Sequence, residues 1–176
     1  MYWGNILITL KYIQLLNKQH GCSHIGIIPT ASYGPNDCYD ENKNHVIPAL
    51  IKKIHNAKMK KQKSITLWGT GKAKREFIHV DDMASGIIHI LENYRENSPI
   101  NLGTGEEVTI AKLSKTISKI IGYTGNINFD EKKPDGIKRK ILSNKKLEKL
   151  KWKSRISLEK GLELAYLDYQ NYLKKS

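Results

Sequence analysis

Apolar positions recur along the chain in two periods, and the alternation between those periods predicts the architecture. Ile6, Leu10, Ile13 and Leu16 stand near helical spacing within residues 2–19, with Gly21 beyond the end as a stop. His24 to Ile28 is a short apolar run closed by Pro29 and reads as a strand. Thr30 to Asn44 carries Gly34-Pro35-Asn36-Asp37 and reads as a long polar loop. A strand that empties into such a loop is how open α/β sheets build ligand crevices at strand ends. Val46, Ile47, Leu50, Ile51 and Ile54 form one face of a helix over about residues 46–60. Pro48 falls in its first turn, where a missing N–H costs little. Ile65 to Trp68 reads as the next strand.

The second half repeats the alternation. Met83, Gly86, Ile87, Ile90, Leu91 and Tyr94 hold the spacing of an amphipathic helix that starts near Asp81-Asp82. Ile100 to Gly105 is a strand and glycine turn, and Thr109 caps a helix whose face is Ile110, Leu113, Ile117 and Ile120. Gly122 ends that helix. Asn126 to Asp130 is a short strand, followed by a basic loop from Lys132 to Lys140. Two helices close the pattern, a short one around Leu147 and Leu150 and a longer one capped by Ser157 that runs through Leu162, Tyr166 and Tyr169. Strands alternating with helices make the fold class α/β. Without repeats or a low-complexity linker, one continuous unit is expected.

Composition narrows the picture without overturning it. A chain of 176 residues with 39% apolar content can bury one good core. No apolar run reaches the roughly 18 residues of a membrane span, so no membrane partner is expected. The start has neither a basic n-region nor a small-residue cleavage site, which argues against a signal peptide. Cys22 and Cys38 form neither a disulfide framework nor a zinc pattern, so a reducing cytoplasm is the expected setting. Net charge is +13, carried by 26 Lys and 4 Arg. That excess reads first as a lysine-rich solvated surface and second as attraction for an anionic ligand. Residues 131–155 concentrate it, with eleven Lys or Arg against three Asp or Glu. Nucleic acid is not expected, because the cations lack aromatic interleaving and no nucleic-acid motif is present.

The chemistry concentrates in Trp68 to Asp82. An aromatic residue, a turn through Gly69 and Gly71, the cations Lys72, Lys74 and Arg75, and a capped helix are the parts that hold a base and its phosphates. Gly103-x-Gly105 lacks the third glycine of a dinucleotide fingerprint and has no acidic residue at the expected distance. It reads as a plain strand-to-helix turn.

Five segments carry a resemblance to a known family. They are Asn44-His45-Val46-Ile47-Pro48-Ala49-Leu50, Trp68-Gly69-Thr70-Gly71, Arg75 to Asp82, Asn101-Leu102-Gly103-Thr104-Gly105, and Lys133-Pro134-Asp135-Gly136 with Arg139-Lys140. In order and spacing they resemble the GDP-L-fucose synthase family of extended short-chain dehydrogenase/reductases. The resemblance implies a Rossmann-type doubly wound sheet with a small α/β substrate-binding part. It implies epimerisation of GDP-4-keto-6-deoxymannose at two carbons and reduction of its ketone by NADPH. It also implies a GDP-sugar partner and a homodimer with the first helix in the interface. His45 matches the family's acid/base histidine, and Arg75 a diphosphate clamp. Lys53 stands where the family usually has Arg. Asp135 and Lys140 match the nucleotide end of the site, and Val46, Leu50 and Trp68 the walls around the base. Val46 and Leu50 read equally as core packing.

The N-terminal region departs from the family pattern. Tyr2 falls on the tyrosine of Tyr-x-x-x-Lys, but Ile6 stands where the lysine should be, and Ala31 replaces an Asn near the nicotinamide. The resemblance therefore implies the C-terminal half to two-thirds of such an enzyme, with most of the NADPH site missing. The expected organisation is Rossmann core elements at about 1–45 and 68–105, and GDP-sugar-binding parts at about 46–67 and 106–176. On this reading the chain binds GDP-sugar without reducing it. Alternatively, it is half of a split enzyme completed by an N-terminal NADP-binding piece, or a non-catalytic pseudoenzyme.

Overall fold

The computed structural model describes residues 3–40 and 45–175. In chain order the elements are α1 (Trp3–His20), β1 (Ile27–Pro29), β2 (Ala31–Tyr33), α2 (Val46–Met59), β3 (Ser64–Trp68), β4 (Lys74–His79) and α3 (Val80–Asn93). They continue with β5 (Ile100–Leu102), β6 (Glu107–Thr109), α4 (Ile110–Ile121), β7 (Asn126–Asp130), β8 (Arg139–Lys140), α5 (Lys145–Lys149) and α6 (Leu158–Lys175). The architecture is α/β, as the alternating periods predict.

Parallel pairing dominates. Strand β1 pairs with β5, β2 with β4, and β3 with β7, all in parallel. The first half of β4 also pairs with β6 antiparallel and with β8 in parallel. Thr30 links the first two pairs: its N–H donates to Leu102 O at 2.9 Å and its Oγ1 to Glu76 O at 3.0 Å.

Strand β4 separates two cores, because successive side chains on a strand face opposite ways. Phe77 enters the larger core, built with Ile47, Ile51 and Ile54 of α2, Leu67 of β3, Leu113 and Ile117 of α4, and Tyr169 of α6. Ile78 enters the smaller one with Ile90, Ile100, Leu102 and Leu147, flanked by Leu150 and Trp152.

Several boundaries differ from the expectations, each for a local reason. The first strand begins at Ile27 because the Asn17 side chain holds His24, accepting its N–H at 3.0 Å and donating to its carbonyl at 2.8 Å. The loop expected from Thr30 begins at Gly34, since Ala31–Tyr33 is drawn into pairing with β4. The turn at Gly103–Gly105 leads into β6 before α4. Helix α3 starts at Val80, with His79 as its cap: Nδ1 accepts from Asp81 N–H at 3.3 Å. The caps expected at Thr109, Gly122 and Ser157 are present. Thr109 Oγ1 accepts from Lys112 N–H, Gly122 sits at φ 74°, and Ser157 Oγ accepts from Lys160 N–H. Arg139–Lys140, expected within the basic loop, forms β8.

Helix α1 is tied on through Gln14 and Asn17, which bond the Asn97 backbone and side chain respectively. Ile6, Leu7, Ile8, Tyr12 and Leu15 on it are exposed.

Candidate functional site

A four-residue connection returns the chain from α2 to β3, so the two run antiparallel and the start of α2 lies at the end of β3. That end carries Trp68, which is 72% exposed. Ala49, Lys53, Asn56, Lys60, Thr66 and Trp68 line a cleft of about 780 Å³ between α2 and β3. Lys53 Nζ donates to Thr66 O at 2.6 Å, which holds the ammonium beside the strand.

Because β7 lies parallel to β3 with Asp130 opposite Trp68, the basic loop leaves from the same end. Asp130 closes the first turn of that loop: its carbonyl accepts from Lys133 N–H at 3.1 Å, and its Oδ1 from Lys132 N–H at 3.1 Å. Lys133 Nζ then lies 5.6 Å above the centre of the Trp68 ring. Two residues on, Asp135 clamps the glycine turn, its two carboxylate oxygens accepting from Thr70 N–H and Thr70 Oγ1 at 2.6 Å each. These bonds, the hydroxyl's first, hold the Asp135 carboxyl below its ordinary range. Gly69 has φ +81°, and a Cβ there would lie 2.2 Å from Asp135 Oδ1, so only glycine admits the carboxylate.

Arg75 is oriented by its own surroundings. Its Nη1 donates to Lys74 O at 2.8 Å and to Ile137 O at 2.6 Å, which leaves the rest of the fork unbonded among the described residues. Lys140, exposed on β8, stands in register with Arg75. Glu107 binds both flanking cations, Lys74 Nζ and Arg139 Nε, at 2.6 Å each. Arg75 and Lys140, between those two pairs, make no ion pair with an acid among the described residues.

His45 is exposed at the start of α2 and makes no side-chain cap bond, which leaves its imidazole free of a capping role. Val46 is exposed, whereas Leu50 is buried in the larger core. Tyr2 lies outside the described residues. The structure thus brings Lys53, Trp68 and the 130–137 loop together, with Arg75 tied to that loop and Lys140 beside it in register. It sets His45 and Val46 at the same end of α2 and β3.

Other residues of the Arg75 to Asp82 segment act in folding. Glu76 is buried, accepting from Gly105 N–H at 2.7 Å and Leu142 N–H at 2.9 Å. Asp82, also buried, accepts from the N–H groups of Arg155 and Ile156. Thr70 and Lys133 stand within the segments that carry the resemblance, beside glycine and Pro134, but the sequence assigns neither a role. Gly103-x-Gly105 does not fit a dinucleotide pyrophosphate. A Cβ at Gly103 would lie 2.3 Å from Glu76 Oε1, so that glycine accommodates a carboxylate, which repels phosphate. Among the described residues, no three His, Cys, Asp or Glu side chains cluster to hold a metal, and no helix is long and apolar enough to cross a membrane.

The arrangement suits a planar anionic ligand. A base stacked on an aromatic ring gains about 1–3 kcal/mol, against about 0.5–1 kcal/mol for an exposed cation–π contact. A planar aromatic ligand on Trp68 would therefore compete favourably with the Lys133 ammonium for the ring face. Residues 7–103 match the model of the NAD dependent epimerase/dehydratase family. The chain belongs to the NAD dependent epimerase/dehydratase family. Within this epimerase/dehydratase family it is 40% identical over 157 residues to a GDP-L-fucose synthase of Sinorhizobium fredii, covering 89% of this chain and 50% of that protein. It is 42% identical over 166 residues to the GDP-L-fucose synthase of Escherichia coli, covering 89% of this chain and 52% of that protein. The chain spans about half the length of these curated relatives. A GDP-L-fucose synthetase from Naegleria fowleri, solved bound to NADP, superposes with a TM-score of 0.85 at 26% identity, covering 97% of this chain and 54% of that one.

Proposed function

We propose that the chain supplies the GDP-sugar side of a GDP-L-fucose synthase-like reaction, in which GDP-4-keto-6-deoxymannose is epimerised and its ketone reduced with NADPH. The observation that carries this reading is the exposed Trp68 platform framed by Lys53, the clamped 130–137 loop and the oriented Arg75. In this reading the base stacks on Trp68 and the diphosphate meets Arg75, Lys53 and Lys140. Asp135 and Val46 border the nucleotide, Leu50 backs it from the core, and His45 exchanges a proton beside the sugar carbonyl. By itself the chain binds GDP with a Kd of about 0.1–1 mM and does not oxidise NADPH.

Isothermal titration with GDP and an NADPH absorbance assay with the keto-sugar test both parts. Arg75→Ala should weaken GDP binding by about 1.5–3 kcal/mol, while Lys174→Ala leaves it unchanged. Equal losses would mean diffuse attraction by net charge, and turnover by the purified chain would overturn the inactive half. A second reading, completion by a separate NADP-binding piece, is favoured by the exposed Ile6, Leu7, Ile8, Tyr12 and Leu15 of α1. It requires NADPH oxidation to appear when such a piece is mixed with this chain, and fails if mixing yields none.

A further inference from the structure

We propose that Lys133 is the residue that makes the Trp68 platform select guanine over adenine, an inference that rests on the nucleotide site proposed above. Three observations fix where this ammonium acts. The loop is pinned on one side of Lys133 by the turn from Asp130 O to Lys133 N–H at 3.1 Å. On the other side it is pinned by the two Asp135–Thr70 bonds at 2.6 Å. Between these pins the ammonium sits over the Trp68 ring, 5.6 Å from its centre.

Once a base occupies that face, the Lys133 backbone stays pinned beside the platform and its flexible stem lets Nζ reach the rim of the base. Guanine presents O6 and N7 there as adjacent acceptors, which match a lysine that only donates. Adenine presents N7 beside an amino group, and a donor facing a donor is unfavourable. Asp135, engaged by Thr70 through both oxygens, serves this selection as the anchor of the loop. Lys132 is the internal control, being equally charged and one residue away.

The test is titration of the full chain with GDP and with ADP, in the native protein and in Lys133→Met and Lys132→Met, with thermal melts to verify folding. Methionine keeps the stem over the ring and removes the donor. The expected result is native preference for GDP over ADP by about tenfold or more, lost in Lys133→Met through weaker GDP binding with ADP little changed. Lys132→Met keeps the preference. Equal loss of GDP and ADP affinity in Lys133→Met, or retention of the preference, would overturn the role of Lys133 while leaving the nucleotide site standing. A folded native chain that binds neither nucleotide would overturn both.

Discussion

Asp135 and Thr70 show how single residues build this site from ordinary chemistry. A carboxylate that accepts from a hydroxyl and an N–H favours its anionic form, so its pKa falls on folding. The sign follows directly: its contribution to stability is complete above the unfolded carboxyl's pKa of about 3.9 and is lost as pH falls through the lower folded value. Thr70→Val removes the larger cause, so the Asp135 carboxyl should titrate closer to its ordinary range, read from carboxyl carbon shifts in an acid titration. An unchanged titration would mean that the backbone N–H and the neighbouring cations Lys72 and Arg75 suffice. At this scale Trp68 and Arg75 stood out by their own chemistry, because aromatics and arginines are recognisable parts of base and phosphate sites, whereas Asp135 entered only through the family resemblance. The contacts of Thr70 and Lys133 were illegible, because their partners lie 65 residues away in sequence for one and across the β3–β7 edge for the other.

Elements were more legible than residues wherever a cap and a periodic face agreed. Helix α4 has Thr109 at its start, Gly122 in the left-handed region at its end, and Leu113, Ile117 and Ile121 buried between them. Thr109→Ala should cost about 1 kcal/mol through the lost bond to Lys112 N–H. Gly122→Ala should cost about 1–2 kcal/mol through its φ of 74°. Urea unfolding midpoints measure both, and their near additivity would follow from the distance between the two ends of the helix. Strand β1 shows where local pattern misled: His24 and Ile25 have strand-like composition, yet Asn17 of α1 holds His24 outside the sheet. Similarly, Gly103 reads as a turn glycine, and only the packed structure reveals the Glu76 carboxylate pressed against it.

The molecule as a whole is organised by β4, which contributes Phe77 to one core and Ile78 to the other. Ile78 is fully buried, and Ile78→Ala should destabilise the chain by about 2–5 kcal/mol through lost burial and the cavity it leaves. Because one strand serves both cores, calorimetry should still record a single transition, lowered in temperature. Two separated transitions in the variant would mean that the cores fold independently. By itself the sequence determined the α/β class and the helices α2, α3, α4 and α6, because periodicity and caps are local properties. Tertiary structure alone decided that the 130–137 loop returns to Trp68, that Asp135 clamps Thr70, and that Glu76 and Asp82 are buried acceptors. Those facts depend on the parallel pairing of β3 with β7 and on long-range backbone donors, which no local pattern encodes.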